Sequence, residues 1–396
     1  MKKRICIIFL FVYACTDVYA QLRKSDLWRN QYARQEHYIP NEETPVLTLH
    51  INLNFWQKKD GSGNWQDNAE HRNRLEQIVK WTNNLYEFVC VPSDSIEGVP
   101  SLRDSRVRIK LEGIYFYRDS ALHLANTEHG DKLNKHLAQY YPERLHAMNI
   151  HVTGGGSFNN RAFGQASGTT FRDADHWIVT LNNEAEETGD YAWAAHLAHE
   201  LGHNFMLAHP YNSEYLRKSH PDFLYDVFVP STQINCVPSG GNDVCYHYTH
   251  WACDTRDPNN SCTNNIMGGT RDACYISPLQ MGRMHRAIQV YNFGKYFSGY
   301  SPYVHRVSQN EIWDFDYRSF RDIQIAPQCT LRIDGKLYMM EGTAIYVQKN
   351  AVLEVRGEIL AGGREFPGHN GKWRGIIRMG KKKKRGQVIY TGLDTK

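Results

Sequence analysis

No apolar run in the 396-residue chain approaches the roughly 20 residues that a membrane-crossing helix needs; the run ICIIFLFVYA, residues 5–14, is far too short. It follows the basic MKKR and precedes DVYA, with the small residues Val18 and Ala20 around a cut before Gln21. This is the layout of a cleaved secretory signal over residues 1–20. The competing lipoprotein layout, ending at Cys15, has the bulky Tyr13 where a small residue is expected. The chain is therefore expected outside the cytosol, either secreted, periplasmic or at a cell surface. An excess of one charge is also missing. The formal charge of +4 falls to +2 once Lys2, Lys3, Arg4 and Asp17 are removed, and KKKKR at 381–385 supplies five of the remaining cations. One short basic cluster without interleaved aromatics is weak ground for a nucleic-acid partner; a solvated turn is the expectation.

No CxxC pair occurs among the nine cysteines, which argues against a cysteine-based zinc site. Cys6 and Cys15 fall in the signal. Of the other seven, Cys236, Cys245, Cys253, Cys262 and Cys274 crowd into one region. In an oxidising compartment such crowding implies disulfides bracing a long loop region, although the pairing is not readable. Seven is odd, so at least one thiol, with Cys90 and Cys329 the candidates, is expected free or bonded elsewhere.

What the chain does contain is HELGHNFMLAH at 199–209. If 190–208 is a helix, His199 and His203 lie one turn apart on one face and can grip a single ion. The surrounding DYAWAAHLAHELGHNFML is rich in helix formers and free of proline, and Asn183 or Asp190 is a candidate N-cap. Catalytic zinc takes three protein ligands and keeps a position for water. His209, followed at once by Pro210, is the expected third. Glu200 then stands where a carboxylate can act as general base. His196 lies on nearly the same face, but a fourth imidazole would close the site, so a supporting or packing role is expected for it. The competing reading is a helix that merely carries histidines; the third histidine argues against it.

Periodicity orders the rest. Strands are expected at 45–56, 106–117, 149–153 and 176–182, and helices at 68–89, 131–141, 190–208 and 277–297, the last opening on Ser277 and Pro278. Alternation of this kind argues for a partly parallel sheet flanked by helices. Residues 323–337 and 345–359 align at a constant offset, pairing Ile323 with Ile345, Ile325 with Val347, Leu331 with Leu353, Ile333 with Val355 and Gly335 with Gly357. Short alternating strands repeated in this way suggest coils of a β-solenoid that must lean on a neighbour; an ordinary pair of hairpins is the alternative. The expected organisation is a signal at 1–20, an N-terminal segment at 21–44, a main domain at 45–300, a linker at 301–321 and a β-rich repeat tail at 322–396.

The zinc-helix segment resembles the metzincin pattern HExxHxxGxxH, with Met206 where that pattern has glycine. A methionine turn belongs to the same pattern, and CTNNIMGGTRDACY at 262–275 supplies Met267. Asn265, Ile266 and Met267 followed by Asp272, Ala273 and Cys274 are similar to the pappalysin or cytophagalysin branch, as is the preceding CDTRDPNN. The resemblance spans roughly 45–297. It implies an α+β metzincin-type zincin: a mixed five-stranded sheet, zinc helix, Met-turn and C-terminal helix, here followed by the small all-β tail. It also implies a zinc endopeptidase in which His199, His203 and His209 bind the metal and Glu200 is the base. The family's tyrosine position two residues after the methionine holds Gly269, which leaves Tyr275 as the candidate for transition-state assistance. Ala162, Phe163, Gly164, Gln165, Ala166 and Ser167, in a glycine-rich stretch, are candidates for the strand that aligns substrate, against a plain loop. Asp254, Asp257, Asn259 and Asn260 offer oxygen donors of the kind calcium takes. No cysteine lies between Cys15 and Cys90, which argues against a cysteine-switch latch. A monomer acting on protein or peptide substrates is expected. The alternative is a non-catalytic secreted binding protein that keeps the zinc fold as scaffold and contacts glycan or a cell surface, motivated by Met206 and Gly269.

Overall fold

The computed structural model describes residues 22–23, 38–92, 101–125, 130–154, 176–180, 189–208, 224, 226–227, 236–239, 242–245, 264–268 and 273–391. After the two-residue strand β1 (Leu22–Arg23) come β2 (Leu47–Gln57), α1 (Ala69–Glu87), β3 (Val107–Arg118), α2 (Ser120–His123), α3 (Gly130–Tyr140), β4 (Met148–Thr153) and β5 (His176–Thr180). Then follow α4 (Asp190–Asn204), the hairpin β6 (Cys236–Ser239) and β7 (Asn242–Cys245), α5 (Pro278–Val290) and β8 (Phe297–Ser298). A mixed five-stranded sheet has the order β3-β2-β4-β5, all parallel, and β8 pairs antiparallel with the start of β2. Every residue of β2 except one is buried, because it is the central strand, covered on both faces.

α1 starts where sequence chemistry places it, since the Asn68 side chain accepts from the His71 N–H. Its buried face, Leu75, Ile78, Val79 and Leu85, packs in one core with Ala194, Leu197, Ala198 and Leu201 of α4. Each such aliphatic side chain contributes about 1.5–3 kcal/mol on full burial. Polar contacts set the register of the pair. The Tyr86 hydroxyl donates to the Ala198 carbonyl at 2.7 Å, Thr82 to that of Ala194 at 3.2 Å, and Arg74 to Asp190 at 2.7 Å.

The tail is a parallel β-solenoid with three faces. Its first coil is β9 (Ser301–Val307), β10 (Glu311–Trp313) and β11 (Tyr317–Ser319). The second is β12 (Arg321–Ile325), β13 (Thr330–Ile333) and β14 (Lys336–Met339), and the third β15 (Ile345–Val347), β16 (Val352–Val355) and β17 (Glu358–Ala361). After a small hairpin, β18 (Glu365–Phe366) and β19 (His369–Asn370), β20 (Ile376–Arg378) and β21 (Gln387–Tyr390) extend two of the faces. Residues 301–321, expected as a linker, thus form a full coil. The repeat read from sequence is the pairing register itself: Ile323 pairs with Ile345, Ile325 with Val347, Leu331 with Leu353 and Ile333 with Val355. Gln328 and Asn350, at the same place in successive coils, both take positive φ, 66° and 61°. β1 adds to the β10 edge in parallel.

The tail leans on the mixed-sheet unit, whose core takes in Phe320 and Met340. Arg364 donates to the carbonyls of Leu145 and His146, and Arg318 to that of Tyr291. The KKKKR run lies in the turn between β20 and β21, where Lys381, Lys383, Lys384 and Arg385 are exposed. No described helix is long and apolar enough to cross a membrane.

Candidate active site

α4 begins at Gly189, which occupies the N-cap position at φ 79° with no side-chain cap. Asp190 is therefore the first helical residue rather than the cap, and it faces the positive end of the helix dipole; Asn183 lies outside the described residues. The helix ends at Asn204, four residues before the expected end. The Leu207 N–H returns to the Gly202 carbonyl at 3.0 Å and the Met206 N–H to that of His203 at 3.0 Å. This is the Schellman closure, whose penultimate residue must be left-handed. Met206 is that residue, at φ 65°. The turn expected to need glycine is thus made by a methionine.

The turn also aims a histidine. His203 Nδ1 is 2.8 Å from the Leu207 carbonyl, and His199 Nδ1 is 2.7 Å from the carbonyl of Ile266. A carbonyl only accepts, so each Nδ1 carries the proton, and in the neutral ring Nε2 is then the lone-pair nitrogen. The ring centroids lie 4.8 Å apart with the planes at 89°. Burial lowers the pKa of His199 and so favours the neutral ring, the form that can ligate. Glu200 is buried, at 5% exposure. His196 Nε2 stands 3.5 Å from Glu200 Oε1, and burial, with His199 adding to it, pushes the His196 pKa down to about 3. His196 is thus a neutral ring beside Glu200.

Beneath this face runs the loop 264–268. Met267 is fully buried, and a β-carbon on Gly202 would overlap its Sδ. A glycine inside a helix costs about 1 kcal/mol against alanine; here it admits the methionine. Asn265 shapes the loop: its Oδ1 accepts from the Met267 N–H at 3.0 Å, and its Nδ2 donates to Gln280 Oε1 at 2.7 Å. Gln280 in turn completes a capping box with Ser277 at the start of α5. The Leu279 N–H there donates to the buried carboxylate of Asp226 at 2.9 Å, whose pKa burial pushes up to about 7. α5 ends at Val290, and a 3-10 helix (Asn292–Tyr296) leads on to β8, in place of the single helix expected over 277–297.

Cys90 pairs with Cys274, joining the end of α1 to the methionine loop across 184 residues. Cys90, expected with Cys329 as a thiol free or bonded elsewhere, is therefore bridged, and among the described residues Cys329 is free. A loop of this length corresponds to about 5 kcal/mol in the chain-entropy account. The Cys90 N–H donates to the Cys274 carbonyl, and Asn264 Nδ2 to that of Val91. Cys236 and Cys245 hold opposed register positions in the β6–β7 hairpin. Tyr275 is 4% exposed and belongs to the core.

Two of the three expected ligands, the base and the turn methionine thus come together. His209, Ala162–Ser167, Asp254, Asp257, Asn259, Asn260 and Gly269 lie outside the described residues. Among the described residues no group of three His, Cys, Asp or Glu side chains forms a metal-holding cluster. The roles of Gly202, the Leu207 and Ile266 carbonyls, and the Asn265–Gln280 pair were missed from sequence. Only Gly202 had a signal there, as an isolated glycine inside a helical pattern.

The strained turn yields a stability prediction. Met206→Gly sheds about 1–2 kcal/mol of left-handed strain while losing a partly buried side chain, so its unfolding midpoint should stay near that of the parent. Met206→Val keeps the strain and adds a β-branch, which is least tolerated at positive φ. Denaturant unfolding should rank it as the least stable of the three. No family model and no curated protein matches the chain.

Proposed function

We propose that this chain is an exported zinc-dependent endopeptidase of metzincin type, nearest the pappalysin branch, with His199, His203 and His209 as ligands and Glu200 as general base. The observation that carries the reading is the anchoring of both described imidazoles by their Nδ1 atoms to the carbonyls of Ile266 and Leu207. Histidine ligands in zinc sites are oriented in this way, the second ring nitrogen donating to a carbonyl or carboxylate while the first faces the metal. Zinc, when bound, would supply Lewis-acid polarisation of a scissile carbonyl and of a water. Glu200, one residue beyond His199 and enclosed by the helix face, accepts the proton of the attacking water and returns it to the leaving amine. Ala162–Ser167, the stretch ahead of β5, remains the candidate along which an extended peptide can pair through backbone groups; among the described residues β5 is at one edge of the mixed sheet. The Cys90–Cys274 bridge suits an oxidising, extracytoplasmic compartment.

The turn at Met206 closes without glycine, which supports the catalytic reading over that of a non-catalytic binding protein. The test is metal content with digestion. Purified protein should carry one zinc per chain and degrade casein or gelatin; a chelator should stop this, and returned zinc should restore it. Returning calcium separately would show whether the second cation is needed. A zinc-saturated chain that leaves both substrates intact would replace the peptidase reading with the binding one, and a chain that takes up no zinc would end both.

A further inference from the structure

Charge is divided unevenly along the chain. Residues 322–396 hold fourteen Lys and Arg against seven Asp and Glu, a net of +7, which leaves −5 on residues 21–321 within the total of +2. The division continues inside the tail, where carboxylates are engaged by cations of their own. Asp322 meets Arg374 at 2.6 Å, Asp334 meets Arg332 at 2.9 Å, Glu354 meets Arg356 at 2.7 Å and Glu358 meets Lys336 at 3.6 Å. Residues 366–391, by contrast, contain eight Lys and Arg and no Asp or Glu. This surplus gathers at one corner of the solenoid. The turn 379–386 joins β20 to β21 and lies over the third-coil corner 348–351, because β20 pairs with β15 and β21 with β16. Lys349 of that lower corner has its β-carbon 3.3 Å from where one on Gly380 would stand. Arg378 holds the turn through Nε, which donates to the Gly386 carbonyl at 2.7 Å.

Lys349, Arg378, Lys381, Lys383, Lys384 and Arg385 are thus exposed around one corner, and with the described residues none of the six forms an ion pair. A block of like charges repels itself and ordinarily stays unstructured. Here the backbone fixes it. The Gly386 N–H donates to the Met379 carbonyl at 2.9 Å, the Lys384 N–H to that of Lys381 at 3.2 Å and the Asn350 N–H to that of Lys384 at 3.1 Å. Both ends need glycine: Gly380 has φ 95°, and a β-carbon on Gly386 would lie 2.3 Å from the Val347 carbonyl oxygen. We propose that this corner binds a linear acidic polysaccharide, whose sulfate or carboxylate groups supply the counter-charge that the fold does not. Lysine dominates the run KKKKR, and its ammonium acts as a point charge, whereas the arginine fork is the group that clamps a phosphate through two bonds. Between Gly380 and Gly386 there is no apolar side chain to enter a lipid interface and no aromatic ring to stack on a nucleic-acid base. The polymer crosses from Lys349 to the turn above it, neighbouring coils being about 4.8 Å apart. The corner belongs wholly to the tail, so this binding is independent of the zinc chemistry.

Binding of the full chain to immobilised heparin and to alginate, measured with a chelator present, tests the corner apart from any peptidase activity. Affinity should fall with salt along a straight line on a double-logarithmic plot, as counterion release requires. Combining Lys381→Gln, Lys383→Gln and Lys384→Gln should weaken binding at least about tenfold and make that line shallower. Combining Lys58→Gln, Lys59→Gln and Lys80→Gln, at exposed positions of the mixed-sheet unit, removes the same charge and should leave affinity within about twofold of the parent. Thermal melts should show both triple variants folded. Failure to bind either polymer overturns the proposal, as does equal weakening by the two triple variants, which would make net charge the cause. Tighter capture by phosphatidylglycerol vesicles or by duplex DNA than by either polysaccharide would overturn it in favour of that partner.

Discussion

Glu200→Gln is expected to bind zinc as the parent does and to hydrolyse denatured protein about 10²- to 10⁴-fold more slowly, the range that a positioned general base contributes. The substitution keeps shape and size at a buried position of α4, so packing is preserved. What is lost is the ability to take a proton. Metal analysis, a thermal melt and a fluorescent casein assay on one preparation separate the outcomes. Turnover within tenfold of the parent at full zinc occupancy would remove Glu200 from its role. Loss of zinc together with activity would make it a structural residue.

Gly202→Ala should lower stability by about 1–3 kcal/mol, the usual cost of an added methyl in a filled core, despite the better helix propensity of alanine. The new methyl would overlap Sδ of Met267, which is fully buried and enclosed. The displaced loop carries the Ile266 carbonyl that orients His199, so zinc affinity should fall as well. Loss of such an orienting partner typically costs 10- to 100-fold. Met267→Ala opens the space, and the double variant should recover much of the loss that Gly202→Ala causes. A double-mutant cycle in denaturant with zinc titrations checks this. Strict additivity of the two changes would show that the glycine and the methionine do not meet in the way described.

Much of the architecture was legible because its signals are local. The apolar alternation at 45–56, the opening of a helix at Ser277 and Pro278 and the order of strands and helices all follow from residues within a few positions of one another. The tail was legible for a related reason: in a solenoid each coil pairs with the next, so a repeat offset in sequence becomes a register in space. The stretch 301–321 escaped because it matches the later coils poorly. β10 pairs with β13 at a separation of 20, Glu311 with Leu331, rather than the 22 seen between Ile323 and Ile345.

By itself the sequence determined that His199, Glu200 and His203 share a helix and that two apolar patterns divide the chain, since helical and strand periods are properties of neighbouring residues. Only the tertiary structure decided what lies against that helix. The Ile266 carbonyl comes from 67 residues away, Met267 from a separate loop, and Cys274 bridges to Cys90 across 184 residues. Met267 was named beforehand only through the resemblance; the Ile266 carbonyl and the pairing of Cys90 with Cys274 leave no mark in spacing, because the contact is made by packing after the chain has turned back on itself.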